Sequence, residues 1–123
     1  MGYYTKFSLG LKTDFAYITT EDFEKLLNEI TYELSKYSGY DQTTFEDMLE
    51  FPVEIKWYSW KEDMQKVAND FPSFTFKLEG DGESDNDFWI ALFKSNKQCI
   101  RRNEYDYEGL LEKEAYTKPI IWE

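Results

Sequence analysis

The sequence predicts an α+β fold with a mostly antiparallel sheet of four to five strands and two main helices on one face of that sheet. Stretches in which apolar and polar residues alternate, typical of half-buried strands, are separated by stretches in which apolar residues recur every three or four positions, typical of amphipathic helices. Their order along the chain is β, α, short α, β, α, β, β, β. The 123 residues fit one domain, residues 1–123, with a ferredoxin-like or related split β-α-β topology as the nearest standard arrangement.

The first strand and the first helix have clear sequence signals. Residues 3–11 place every second side chain on one face, which predicts a half-buried strand. Thr19 or Thr20 then caps a helix whose apolar side chains recur at helical spacing. Gly39 is the expected stop, since glycine readily adopts the left-handed conformation that ends helices.

The middle of the chain contains two capping-box spacings. Thr43 and Ser59 are each followed by glutamate three positions later, a pattern typical of a helix N-terminus. The first box predicts a short helix, and the second predicts an amphipathic helix that ends before Pro72. Between them, residues 53–58 alternate as a second strand.

The alternation between residues 74 and 102 predicts three successive strands. Residues 74–79 alternate, residues 88–94 are apolar on both faces and so belong in the interior of the sheet, and residues 98–102 follow a short turn. Residues 80–87 form a polar loop. The tail, residues 103–123, is acidic and ends in an apolar stretch, so we expect it to dock on the core or on a partner.

Charge and composition exclude several classes of function. Lys and Arg number 14 against 25 Asp and Glu, with no His, so the net charge is −11 and the pI is about 4.5. This charge disfavours free nucleic acid as the main ligand, because phosphates are repelled. One Cys and no imidazole exclude a disulfide within the chain and disfavour a zinc site. Because the chain has no histidine, catalytic mechanisms that need a histidine base are excluded.

Nothing in the pattern of carboxylates indicates catalysis. With 25 acidic residues, carboxylate pairs arise by chance, and none falls in an apolar stretch that would raise its pKa. Cys99 lacks a histidine partner, and a free cysteine is commonly a small buried hydrophobe. We therefore expect that the protein is not an enzyme and that it binds no cofactor.

Aromatic residues make up 20% of the chain, which argues for a folded protein, because disordered segments are poor in aromatics. Some rings are left over for the surface, and Tyr and Trp are enriched where proteins contact each other. The sequence has no apolar stretch of membrane-spanning length, no signal peptide and no myristoylation signal. We therefore expect a cytoplasmic protein that does not bind membranes, with a reduced Cys99.

Several motifs together carry a family resemblance. They are Met1-Gly2-Tyr3-Tyr4-Thr5, Glu54-Ile55-Lys56-Trp57-Tyr58 with Glu62-Asp63-Met64, the stretch from Phe71 to Glu83, and Asp87-Phe88-Trp89. With these motifs, which cover roughly residues 53–95 and the first five residues, the chain resembles small uncharacterised proteins of phages and prophages. The helix, the Phe71-Pro72 pair, the strand and the acidic glycine loop are also faintly similar to the ferredoxin-like domain of YubB-type plasmid proteins. The resemblance implies a mobile-element origin in a host cytoplasm. By analogy, it implies an inhibitor of host defences.

The loop at residues 79–87 has carboxylates at alternate positions, as in calcium-binding loops. The match to an EF-hand fails twice, since Asn86 stands where glycine is needed and Leu92 stands where a bidentate glutamate is needed. Three interpretations stay open at this point: a solvated loop, a loop that faces a partner, and a cation site. We expect no metal there.

A basic hairpin follows, formed by Lys94, Lys97, Arg101 and Arg102. Interleaved with aromatic residues, these cations could contact phosphate in a small ligand or nucleotide. The competing interpretation is that they pair with the acidic residues of the tail.

The function expected from these observations is a non-catalytic, acidic accessory protein of phage type. It would bind and inhibit a host nucleic-acid-handling or defence protein, such as a nuclease or a CRISPR or restriction complex, by presenting carboxylates to a basic groove in the manner of a DNA mimic. The alternative is a small-ligand or nucleotide-binding accessory protein that uses Lys94, Arg101 and Arg102. Self-association into a homo-oligomer is a further expectation from the apolar tail. The partner contacts are assigned to Tyr3, Tyr4, Glu21, Glu24, Trp60, Asp81, Glu83, Asp85 and Asp87.

Overall fold

A computed structural model describes residues 3–13, 17–84 and 87–102 of the chain. The described part contains five strands and three helices in the predicted order. They are β1 (Thr5–Thr13), α1 (Thr20–Ser38), α2 (Gln42–Met48), β2 (Val53–Ile55), α3 (Trp60–Asp70), β3 (Phe74–Gly82), β4 (Phe88–Lys94) and β5 (Lys97–Arg102).

The five strands form one sheet in the order β2-β1-β3-β4-β5, and every neighbouring pair is antiparallel. The predicted α+β class is confirmed, and the arrangement is consistent with a ferredoxin-like or related α+β fold. Strand β3 is central and pairs with β1 over nine residues, from Thr5 opposite Gly82 to Thr13 opposite Phe74. Strand β4 lies in the interior of the sheet, as its apolar composition predicts.

Strand alternation divides the sheet into two faces. The helices cover the face that carries Phe7, Leu78, Ala91 and Phe93, and these side chains share one core with Ile30 and Leu34 of α1 and Met64 and Val67 of α3. We call the opposite side the second face. It carries Lys6, Ser8, Gly10 and Lys12 of β1, Thr75, Lys77, Glu79 and Asp81 of β3, Phe88, Ile90, Leu92 and Lys94 of β4, and Lys97, Cys99 and Arg101 of β5.

Aromatic rings fill the core beside the sheet. The Trp57 ring lies 5.4 Å from Phe7 and 5.1 Å from Phe45, centroid to centroid, in tilted and edge-to-face arrangements of the kind that aromatic pairs prefer. Trp89 lies flat across Gly80, its cross-strand neighbour, where a Cβ atom would stand 2.2 Å from the indole ring. The absence of a side chain at Gly80 therefore makes room for Trp89.

Several predicted boundaries are wrong at the level of single residues. Strand β2 ends at Ile55, whereas the alternation predicts a strand that continues to residue 58. Ser59 is the N-cap residue of α3, yet its hydroxyl donates to Asp63 Oδ2 at 2.7 Å and does not cap the helix. Helix α2 begins one residue before Thr43, so neither capping box forms as predicted. The tail at residues 103–123 lies outside the described residues.

Candidate protein-interaction surface

Helix α1 is the longest helix of the structure and forms as its sequence predicts. Thr19 is the N-cap, and its hydroxyl accepts a hydrogen bond from the amide of Asp22 at 3.1 Å. Gly39 ends the helix in the left-handed conformation with φ of 85°. Ile30 and Leu34 are fully buried, so the inner side of α1 is fixed by the core and the outer side remains for other contacts.

The outer side of α1 carries a row of acidic and aromatic residues that we call the α1 stripe: Asp22, Glu29, Tyr32 and Glu33, preceded by Tyr17. Glu29 lies three and four positions before Tyr32 and Glu33, so these three residues are neighbours on the helix. Asp22 lies two turns earlier, beyond Lys25 and Leu26. Tyr17 has 82% of its surface exposed and Tyr32 has 53%. Large exposed tyrosine rings are enriched where proteins contact each other.

Two shallow hollows lie along the α1 stripe. One of about 410 Å³ is lined by residues 17–19 with Asp22, Lys25, Leu26 and Glu29. A second of about 280 Å³ is lined by Glu29, Tyr32, Glu33, Asp70 and Phe71. Glu29 borders both, so the two hollows adjoin. We call the two hollows together the groove; the charged residues of its lining are the four acids Asp22, Glu29, Glu33 and Asp70 and the single lysine Lys25.

The C-terminal end of α3 adds charge to the groove. The Tyr37 hydroxyl donates to Asp70 Oδ2 at 2.5 Å. This hydrogen bond, with partial loss of hydration and the negative charges of Asp70 and Glu33, raises the pKa of Tyr37 from its usual 10.0 to about 12. Lys36 reaches Glu33 at 3.7 Å and lies 5.7 Å from the Tyr32 ring centroid. Asp70, Glu33 and Tyr32 of the groove lining are therefore each in contact with a side chain of α1 outside the groove.

Charge is segregated between the two sides of the molecule. The segment from Thr20 to Asp70, which contains all three helices described, has thirteen acidic and five basic residues. Strands β1, β3, β4 and β5 together have seven basic and two acidic residues. The sequence total of −11 hides this division, which becomes visible once the chain is divided into its helices and strands.

The predicted contact residues fall into different environments. Glu21 and Glu24 are exposed on the first turns of α1, on the same helix as the α1 stripe. Tyr4 is 40% exposed, and the Lys56 ammonium lies 4.6 Å from its ring centroid. Trp60 is half-buried and stacks on Trp89 with ring centroids 4.0 Å apart and an angle of 13°. Most of the Trp60 ring is therefore used inside the chain.

Tyr3 holds the loop after β3 in place. Its hydroxyl donates to Asp87 Oδ2 and accepts from the amide of Ser84, and its own amide donates to the Tyr58 hydroxyl at 2.6 Å. Asp87 also lies 3.9 Å from Arg102. Tyr3 and Asp87 therefore bind each other at the end of the sheet where β3 terminates, away from the α1 stripe.

Of the remaining contact residues predicted in the 79–87 loop, the structure describes two and leaves out the third. Asp81 and Glu83 are exposed, and Asp85 lies outside the described residues. Within the described ranges, no group of three or more acidic or cysteine side chains is arranged to hold a metal ion. The end of β3 and the residue after it thus present two exposed carboxylates, far along the chain from those of α1.

The three cations of the alternative ligand site do not share one surface. Lys94 and Arg101 lie on the second face, whereas Arg102 pairs with Trp89 on the helix-covered face. A cleft of about 290 Å³ opens on the second face, lined by Lys6, Ser8, Pro52, Glu79, Gly80, Asp81, Phe88, Trp89 and Ile90. Its lining includes two carboxylates and none of the three predicted cations, a poor environment for phosphate.

The sequence did not indicate Tyr17, Tyr32 or Asp70 as candidates. Asp70 and Phe71 line the groove only because α3 packs beside α1, which brings Asp70 close to Glu33 although about 37 positions separate them in the sequence. Tyr32 has a detectable signal, since it stands on the polar side of the predicted helix, where a large ring has no core to fill.

Comparison of the chain with protein-family models, with curated proteins and with solved structures found no match. The resemblance to phage and plasmid proteins therefore stays a prediction. None of the described helices is long and apolar enough to cross a lipid bilayer.

Proposed function

We propose that this protein is a non-catalytic binding protein that docks its acidic helical side on a basic surface of another protein. The observation that carries the proposal is the charge segregation, with thirteen acidic and five basic residues in the segment that contains the helices. The α1 stripe and its groove are the proposed centre of contact. Tyr17 and Tyr32 are the proposed anchoring rings, because exposed tyrosines supply large contact area at low entropic cost.

The proposed target class is a host nucleic-acid-handling or defence protein. Such a protein presents a cationic groove suited to a polyanion, and a folded surface of carboxylates competes for that groove without being a substrate. Electrostatic complementarity speeds the encounter and suppresses partners of the wrong charge. Inhibition follows because the groove cannot hold nucleic acid and the acidic side at once.

The proposal is tested by capture on the immobilised full chain from host lysate, with two charge-reversed variants. Glu29→Lys with Glu33→Lys reverses two charges in the α1 stripe, and Asp81→Lys with Glu83→Lys makes the same charge change at the exposed end of β3 and the residue that follows it. Thermal unfolding first verifies that both variants are folded. We expect the α1 variant to bind the captured protein at least about tenfold more weakly than the β3 variant does, because like charges face each other across the interface.

The captured protein is then purified and its binding to nucleic acid is measured with increasing amounts of the wild-type chain. Competitive displacement supports an inhibitor. Capture of no basic protein at low or high salt, or equal loss of binding in both variants, contradicts the proposal.

A further inference from the structure

The cleft of about 290 Å³ on the second face lies where β1, β3 and β4 run side by side. Strand register places two rows of lining side chains in it, and each row crosses from β1 through β3 to β4. The first row is Lys6, Asp81 and Phe88, and the second row is Ser8, Glu79 and Ile90. Small-ligand pockets have volumes of about 300–1,000 Å³, so this cleft suits a ligand of few atoms.

One of the three charged side chains that line the cleft is neutralised by a neighbour. The Lys77 ammonium lies 3.0 Å from Glu79 Oε1, and the two residues share a face because they are two positions apart on β3. The charges that remain in the cleft are one cation, Lys6, and one carboxylate, Asp81. A ligand with a single charge would be attracted by one of these groups and repelled by the other.

Lys6 and Asp81 are directly opposite each other in the register of β1 and β3, and both side chains are exposed. Lys6 also stands opposite Glu54 of β2. Among the described residues, neither Lys6 nor Asp81 takes part in an ion pair. The hydroxyl of Ser8, the next residue of β1 on this face, has no hydrogen bond within the described ranges. The cleft therefore presents a cation, a carboxylate and a hydroxyl that the described contacts of the fold do not use.

We propose that this cleft binds a free α-amino acid with an apolar side chain. Such a ligand carries an ammonium and a carboxylate on one carbon, so it matches both charges at once. Lys6 and the Ser8 hydroxyl donate to its carboxylate, and Asp81 accepts from its ammonium. Opposite side chains on paired strands begin about 4.5–5.5 Å apart at Cβ, which lets both reach the same small molecule. Pro52 and Ile90 supply apolar lining for its side chain. The inference does not depend on the proposed function, because none of these residues belongs to the α1 stripe or the groove.

The ligand class is tested by nuclear magnetic resonance titration of the isotope-labelled wild-type full chain with free leucine, methionine and phenylalanine. At least one is expected to give saturable shifts with a dissociation constant of about 1 mM, centred on the amides of Lys6, Ser8 and Asp81. Two analogues of the tightest ligand separate its charges, since its amide lacks the carboxylate and its deaminated acid lacks the ammonium. Each analogue is expected to bind at least about tenfold more weakly, because a hydrogen bond to a charged group is lost. Equal binding of either analogue, shifts away from the cleft, or no saturable shift with any of the three amino acids overturns the proposal.

Substitution of the two charged residues gives a second, independent test. Lys6→Gln and Asp81→Asn each remove one charge from the cleft with little change in size, and each is expected to weaken binding at least about tenfold. The matched controls are Lys25→Gln and Glu24→Gln, which make the same charge changes at exposed positions of α1. Thermal unfolding first verifies that the variants are folded. Affinities equal to those of the controls contradict the proposal, and the comparison of analogues on the wild-type chain decides even where a variant does not fold.

Discussion

Replacing Asp63 with alanine removes a buried carboxylate that joins three parts of the fold. Asp63 lies in the first turn of α3 with 3% of its surface exposed. Its Oδ2 atom accepts hydrogen bonds from the Trp57 indole and from the Ser59 hydroxyl, each at 2.7 Å. Trp57 in turn contacts Phe7 of β1 and Phe45 of α2, so the carboxylate fixes the segment that leads from β2 into α3.

The magnitude follows from the two donors. A hydrogen bond to a charged group contributes about 1.5–3 kcal/mol, and a buried donor left without a partner costs about 1–3 kcal/mol. The two effects overlap, so we expect Asp63→Ala to lower the free energy of unfolding by about 3 kcal/mol. A domain of this length has about 6–18 kcal/mol in total, and the loss is therefore a substantial fraction of its stability.

The assay is urea unfolding followed by tryptophan fluorescence. With a slope of about 2 kcal/mol per molar, the midpoint of Asp63→Ala is expected about 1.5 M below that of the wild type. Glu62→Ala removes an exposed acid from the same helical turn and is the matched control, with an expected change within about 0.5 kcal/mol. A double-mutant cycle with Trp57→Phe isolates the indole bond. A loss below about 1 kcal/mol for Asp63→Ala refutes the reasoning.

Three further predictions concern packing, titration and capping. Gly80→Ala is expected to cost at least about 2 kcal/mol and to weaken the near-ultraviolet circular dichroism, because its Cβ would meet the ring of Trp89; an unchanged spectrum argues against this contact. Ultraviolet titration should show a tyrosine with a pKa of about 12 that is absent in Asp70→Asn. Since this pKa lies above the ordinary 10.0, the stabilisation by Tyr37 is complete below pH 10 and lost as the pH rises towards 12. Thr19→Ala is expected to cost about 1 kcal/mol in thermal unfolding, and no change would mean that the cap does not contribute.

Sequence patterns predict a strand or helix well when one of its faces is buried, because burial then sets the spacing of its apolar residues. The alternation from Phe7 to Leu11 and the spacing from Phe23 to Leu34 each reflect burial against the same core. The stop at Gly39 is predictable because a left-handed residue is needed there. The order of elements and the α+β class follow from these local signals.

The errors arise where a tertiary contact competes with a local signal. Ser59 and Glu62 have capping-box spacing, yet the hydroxyl of Ser59 donates to Asp63, because the buried indole of Trp57 brings that carboxylate into the core. The sequence places Trp60 on the apolar face of its helix and also among the contact candidates, and the structure adds that its ring stacks on Trp89. A local sequence pattern does not show which two aromatic residues, distant in the sequence, will stack on each other.

The candidate surface was only partly predictable for the same reason. Glu21 and Glu24 are on the acidic helix that the sequence indicates, whereas Asp70 reaches the groove through the packing of α3 beside α1. The division of charge between helices and sheet requires the bounds of the helices and strands, which the sequence total of charges does not show.

The central claim, that the acidic helical side is the binding surface, is tested most directly by amide hydrogen exchange of the full chain with and without its captured partner. We expect added protection in α1 around Glu29 and Tyr32 and at the end of α3 near Asp70, with no change in β4 and β5. Protection confined to the second face, or to Asp81 and Glu83 at the end of β3, would contradict the claim.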